Sequence, residues 1–335
     1  MNKVTKIGVT ALCGSLAAVA ANAGSMSVSG GAALTWTSES AAVTGNPIGM
    51  KNNLTFGAAG ELDNGFSWSM NAYQSDANAL TSSTWSMNMD TMGSLKVDFG
   101  AGGVGLDALD DKMPTAWEET HGTGSASGLD TISGVHGSAV IQWSAAADML
   151  PMGTSLAIAY SPKADGGGLQ ADLGNSGDLN NEKESGWDVV LQSGLGVDGL
   201  NVFAGSSQIE KTGTGEAEDV QEHTYGATYA MGAITVGYQE MSEDPGTTTG
   251  TDHYDSMAYG ISFNVNDNLA LSFGHYESER ENAGAANVTL ELDSIQMSYN
   301  MGGASVKIAS TDVDNASYSS GSKADTNTVA ISLAF

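Results

Sequence analysis

The apolar positions of this chain recur at every second residue, segment after segment, and seldom at helical spacing. Met257, Tyr259, Ile261, Phe263 and Val265 alternate with Ala258, Gly260, Ser262 and Asn264. The same rhythm runs through Leu269/Leu271/Phe273, Ile234/Val236/Tyr238, Leu156/Ile158/Tyr160 and Leu54/Phe56. Successive side chains of a strand point to opposite faces, so each run is a ribbon with one oily and one polar side. Sixteen strands are expected, over about 25–37, 51–61, 66–75, 82–91, 94–100, 136–147, 153–163, 185–196, 200–210, 221–231, 233–242, 253–265, 269–279, 288–300, 304–312 and 324–335. One of them slips. In 288–300, Val288, Leu290 and Leu292 give way to Ile295, Met297 and Tyr299, a change of parity that predicts a β-bulge.

The connections alternate in length. Tight-turn signals sit at Asp63-Asn64-Gly65, Thr91-Met92-Gly93, Val197-Asp198-Gly199, Met231-Gly232, Asn266-Asp267-Asn268 and Met301-Gly302-Gly303. Between them lie longer polar stretches, the longest being 101–135. Short turns at one end and long loops at the other are the pattern of a barrel inserted vectorially into a membrane. A soluble sandwich has no reason to keep it. An even strand count then puts both termini at the short-turn, periplasmic end. Tyr229, Phe263 and Phe335 fall at short-turn ends, and Trp36, Tyr160, Trp187 and Tyr238 toward long-loop ends, as two interfacial girdles require.

Both ends of the chain agree with export. Val329, Ile331, Leu333 and Phe335 form an apolar face that runs to the last residue, where a soluble protein would fray. This ending resembles the C-terminal signal, here Ile331, Leu333 and Phe335, that the assembly machinery of bacterial outer-membrane barrels recognises for insertion. At the other end Lys3 and Lys6 precede a small, apolar stretch closed by Ala21-Asn22-Ala23, the form of a cleaved secretory signal over residues 1–23. That leaves 24–335 as one barrel domain, since no linker or composition break divides it. Cys13 follows Leu12 rather than a small residue and so does not read as a lipidation site; as the only cysteine, its removal leaves no thiol for a disulfide.

Removing 1–23 takes two of the eleven basic residues and leaves nine against 39 acidic ones, a formal charge of −30. Nucleic acid is excluded as a partner by that sign. Mean hydropathy is −0.13, which reads as soluble, but half of every barrel strand faces water.

Three blocks sharpen the reading: Met26-Ser-Val-Ser-Gly30, Asn46-Pro-Ile-Gly-Met-Lys-Asn-Asn-Leu-Thr-Phe56 and Gly60-Glu-Leu-Asp-Asn-Gly65. With the signal, the strand count and the terminal Phe335, the whole chain resembles the Gram-negative general porins of marine alphaproteobacteria. The resemblance implies an all-β, 16-stranded antiparallel transmembrane β-barrel in the outer membrane. It implies a homotrimer with one water-filled pore per subunit for passive diffusion of small hydrophilic solutes. It also implies that the third long loop folds inward.

That loop carries its own argument. Leu106, Leu109 and Met113 recur at helical spacing, with Asp107, Asp110 and Asp111 off that face and Pro114 ending the helix after about two turns. The apolar side is expected against the barrel wall and the acids, with Glu118 and Glu119, in the lumen as a constriction. An ordinary acidic surface loop is the competing reading. Parity places Lys51, Lys96, Arg280 and Lys307 inward, where a basic wall would oppose the acids and set up a transverse field. Lipid-facing lysines would in any case cost about 2–4 kcal/mol at the bilayer midplane, so the parity has a second explanation. The overall charge predicts a preference for cations.

Other signals are weaker. Gly100-x-Gly102-x-x-Gly105 and Gly194-x-Gly196-x-x-Gly199 match a dinucleotide fingerprint, but neither opens a helix in a βαβ unit. The five histidines form no metal-binding pair at helical spacing, and no Gly-x-Ser-x-Gly elbow exists. No catalytic, cofactor or metal site is expected. Glu182/Glu184 and Glu243/Asp244 are candidates for weak calcium only, without the spacing of a calcium loop. Beside the channel, two readings compete: an acidic surface β-protein or adhesin, and a barrel-based outer-membrane enzyme.

Overall fold

A computed structural model describes residues 24–334 apart from 41–44, 77–79, 124–126, 138, 165–182, 213–217 and 248–249. The expected signal segment and Phe335 lie outside the described residues. The strands are β1 (Ser25–Glu39), β2 (Ile48–Glu61), β3 (Ser67–Ser75), β4 (Ser82–Asn88), β5 (Ser94–Phe99), β6 (Ala139–Ser144), β7 (Ser155–Ser161) and β8 (Lys183–Ser193). They continue as β9 (Leu200–Lys211), β10 (Val220–Met231), β11 (Ile234–Asp244), β12 (Thr251–Asn266), β13 (Leu269–Asn282), β14 (Val288–Asn300), β15 (Ala304–Asp314) and β16 (Thr326–Ala334). Each pairs antiparallel with its neighbour in sequence, and β1 pairs with β16 from Gly31↔Ala334 to Glu39↔Thr326. The sheet is closed, so no edge is left unpaired.

The two faces of the ribbon differ as the alternation predicts. On β12, Tyr259, Ile261 and Phe263 are exposed on the outside while Ser256 and Ala258 are buried within. The outer apolar positions of β1, Leu34 and Trp36, adjoin Ile331 and Val329 of β16 across the closure. Short connections such as the two residues between β10 and β11 alternate with long ones such as 100–138 between β5 and β6. Gly199 shows why glycine marks a tight turn: its φ is +76°, and a Cβ there would collide with the Ala230 carbonyl.

β14 holds no bulge. Its register with β13 is unbroken from Leu269↔Tyr299 to Arg280↔Val288, and that with β15 from Glu291↔Asp314 to Asn300↔Ser305. The apolar residues change sides because the environment changes along the strand. Near the short turn Ile295 and Tyr299 face outward, exposed, with Ser294 and Gln296 inside. Near the long loops the relation inverts, with Leu290 and Leu292 buried inside and Glu291 and Asp293 outside. The hidden apolar core lies within the barrel, where Leu290 and Leu292 join Leu106, Leu109, Met113, Phe203 and Tyr276.

That core exists because the wall beneath the loop is lined with glycine. A Cβ on Gly205 would stand 2.5 Å from Leu106, one on Gly237 2.7 Å from Pro114, and one on Gly274 2.5 Å from Thr120. These inward glycines on β9, β11 and β13 let the loop's side chains pack directly on the sheet. Gly274→Val should therefore leave the barrel folded but push the loop off its seat, at a cost of about 1–3 kcal/mol. Limited proteolysis in detergent should then cut within 101–135 while heat-modifiable gel mobility is kept. Protection equal to the unsubstituted protein would refute the close-packing account.

Candidate functional site: a loop stitched across the inner wall

Loop 100–138 leaves β5 and crosses the inside of the barrel by hydrogen bonds from its backbone to inward side chains. Gly105 N–H donates to Gln142 Oε1 of β6 at 2.7 Å and Leu106 N–H to Asp188 Oδ2 of β8 at 2.8 Å. Lys112 N–H donates to Gln239 Oε1 of β11 at 3.0 Å, and that amide's Nε2 donates back to the Leu109 carbonyl at 2.5 Å. Ala116 N–H meets Ser272 of β13 at 2.9 Å, and Trp117 and Glu118 N–H share Gln296 Oε1 of β14 at 3.1 and 3.2 Å. Thr123 closes the outward run on Thr311 of β15 and Thr328 of β16. The return limb is held by Tyr318, whose hydroxyl accepts from Asp130 N–H at 3.1 Å, and by Glu222, which accepts from Ser133 and Gly134 at 2.7 Å each.

The apolar stripe of the loop packs on the wall: Leu106 and Leu109 are wholly buried and Met113 nearly so. The helix is shorter than expected, a single 3-10 segment over Gly105–Leu109. Its aspartates end it. Asp110 Oδ1 accepts from Asp111 N–H and Asp111 Oδ1 from Met113 N–H, both at 2.7 Å, so side chains take the donors that further helical turns would need.

The five acids divide in consequence. Asp111 does not face the lumen: its side chain is 1% exposed and accepts from Met113 and Thr120, which makes it an internal brace. Asp107 accepts from Gly103 N–H at 2.6 Å and stands 4.0 Å from His136. Asp110 is half-buried; burial first, then repulsion from Glu119 and Asp107, pushes its pKa up to about 6. Glu119 is half-exposed, 3.6 Å from His121, and its pKa is also raised, by burial foremost. Glu118 lines a recess of about 380 Å³ between the loop and β1, β2, β15 and β16, together with Trp117, Thr35, Asn53, Lys51 and Lys307.

The four bases all lie inward but do not form one wall. Lys96 is tied to the root of the loop, 3.4 Å from Asp98 and donating to the Gly102 carbonyl at 3.0 Å. Arg280 sits at the long-loop end, donating to the Tyr318 carbonyl at 3.0 Å with its guanidinium 5.2 Å from that ring. Only Lys51 and Lys307 meet the loop's acidic end, Lys307 with its ammonium 5.9 Å from the Trp117 ring centre. Of the calcium candidates, Glu182 lies outside the described residues, and Glu184 pairs with Lys163 at 3.1 Å. Asp244 accepts from Gly246 N–H at 2.8 Å. Among the described residues no three metal-type side chains converge.

The anchors Asp188, Glu222, Gln239 and Gln296 are absent from the sequence reading. Their only signal is a buried polar side chain at an inward strand position, and what it binds is set by a segment far away in the chain.

A closed 16-stranded barrel with a loop laid along its inner wall defines an outer-membrane pore protein by architecture. The chain belongs to the Gram-negative porin family, whose match covers residues 8–306. No curated protein sequence matches it. Among solved structures it is similar to OmpF of Salmonella typhi, with 13% identity, 93% of this chain and 98% of that one covered, and a TM-score of 0.69. OmpT of Vibrio cholerae in its trimer form gives 12%, 94%, 100% and 0.65. A porin refined at 1.8 Å gives 14%, 92%, 100% and 0.63. This is a multi-pass protein of the outer membrane.

Gln296 gives a direct test of the stitching. Gln296→Leu strands the Trp117 and Glu118 N–H groups and should destabilise the fold by about 1–3 kcal/mol. Gln296→Glu keeps the acceptor. Thermal unfolding in detergent should rank Gln296→Leu clearly below Gln296→Glu, and equal midpoints would remove this anchor from the account.

Proposed function

We propose that the protein is a water-filled channel for passive diffusion of small hydrophilic solutes and ions, with a preference for cations. The observation that carries this reading is the one-sided placement of the loop. From its root on β5 it is stitched round to β16, and the polar inner face of β1–β3 beside the recess remains as the aqueous lane. A wet lumen explains why inward positions there are Thr35, Asn53 and Lys51 while outward ones are Leu34, Leu54 and Phe56.

In this reading the constriction lies between Trp117 and Glu118 on the loop and Lys51 and Lys307 on the wall. Asp107, Asp110 and Glu119 add negative potential along the loop, and Asp111 holds its shape. Lys96 and Arg280 are committed to the loop root and the mouth, so the transverse field rests on two lysines. The net charge of −30 then decides the sign of selectivity. The subunit works as a homotrimer, a reading supported by the trimer form in which the Vibrio cholerae relative is solved. Residues 1–23 direct export and are then removed, and the assembly machinery reads Ile331, Leu333 and Phe335.

In planar bilayers the reversal potential under a salt gradient should report cations over anions. Asp107→Asn, Glu118→Gln and Glu119→Gln together should lower the permeability ratio several-fold, and an unchanged ratio would exclude the loop from the constriction. Lys51→Gln with Lys307→Gln should shift it the other way.

The pH dependence follows from Asp110. Its carboxyl is protonated below about 6, so its charge is present at neutral pH and lost as pH falls through that value. Cation preference should decline between about pH 7 and 5, well above the range of an ordinary aspartate near 4. Asp110→Asn should flatten that step, and a step kept unchanged in the variant would assign it to another group.

A further inference from the structure

The outer wall across β8–β11 is not a flat belt. An apolar groove of about 660 Å³ runs up it, from Leu195 and Thr154 at the short-turn end to Tyr225 and Tyr238 nearer the long loops. Two alanines create it. Ala204 pairs with Tyr225 and Ala227 with Tyr238, and their missing bulk leaves a trough flanked by Leu191, Val202 and the two rings. Neighbouring outward positions on β12 and β13 carry Tyr259, Ile261 and Phe273 instead.

The groove has a polar head. The hydroxyls of Tyr225 and Tyr238 both donate to Glu240, the latter at 2.6 Å. Directly above opens a recess of about 520 Å³ that shares Tyr225 and Glu240 and adds His223, Asp255, Glu277 and Glu279. Among the described residues, β10–β13 carry one lysine or arginine, Arg280, and it faces inward onto Tyr318. The carboxylates alone would define nothing, since they are open to water. Their position at the head of an apolar trough is what selects an occupant.

We propose that this wall holds one lipid with an ammonium-bearing head. Its acyl chain lies in the trough over Ala204 and Ala227, and its ammonium reaches Glu240 and the recess above. The trough is continuous with the lipid-facing belt of an outer-membrane barrel, which makes a hydrocarbon chain the natural filling. Charge complementarity chooses the head: an unbridged phosphate or carboxylate would meet four carboxylates and two phenols already bonded to one of them, with no lysine or arginine beside them. The inference rests on the membrane location and not on conduction, so conductance measurements are unaffected by its outcome.

Native mass spectrometry of the mature, full-length protein from micelles containing equimolar phosphatidylethanolamine and phosphatidylglycerol, with a chelator present, tests it. One phosphatidylethanolamine per chain should survive, favoured about fivefold over phosphatidylglycerol, the ratio one exposed charge pair supplies. Ala227→Phe should fill the trough and abolish retention of both lipids, while Ile261→Phe, outside it, keeps the adduct. Glu240→Gln should keep a lipid but bring the preference to about one. Heat-modifiable gel mobility checks that every variant is folded. The proposal fails if no lipid is retained, as when a second copy covers the trough, or if Ala227→Phe retains lipid unchanged. It also fails if phosphatidylglycerol binds equally, or wins on adding a divalent cation, which would make the head a bridged anion.

Discussion

Backbone hydrogen bonds have no water to fall back on inside hydrocarbon, and the closure of β1 on β16 is what that constraint demands. Once the ring is shut, every strand has one face toward lipid and one toward the enclosed space. The outer face is then restricted to side chains such as Ile261, Phe263 and Ile331. The inner face is free to be polar, to be glycine, or to be apolar where something lies on it. All further features of the pore are choices made on that inner face.

The principal choice is asymmetry. One arc of the wall, β6 to β16, is given over to seating the loop, with glycines where its side chains lie closest and amides or carboxylates where its N–H groups need acceptors. Steric fit and hydrogen bonding therefore act together. Neither would suffice, because a loop held by polar contacts alone would leave Leu106, Leu109 and Met113 in water.

The outer half of this structure was legible in the chain because it depends on period two, and period two is a local property. Strand number, turn ends and the side taken by Lys51 or Lys307 follow from counting. β14 misled for an instructive reason: a parity change of apolar residues signals a bulge only if one face stays oily throughout. Here Leu290 and Leu292 face an internal core built by a segment about 180 residues earlier in sequence, while Glu291 and Asp293 face outward. The same distance hid Gln239 and Gln296. Asp111 looked like its acidic neighbours until its carboxylate was seen to accept two backbone donors.

The recess beside Trp117 straddles the seam where the chain's beginning and end are joined, with Thr37 on β1 bonded to Thr328 on β16. Its walls come from the first two strands and the last two. A ring missing its final ribbon would have no such recess at all, only an open trough. The recess is thus complete only in a closed ring, and β16 serves both as the closing strand and as part of the lining.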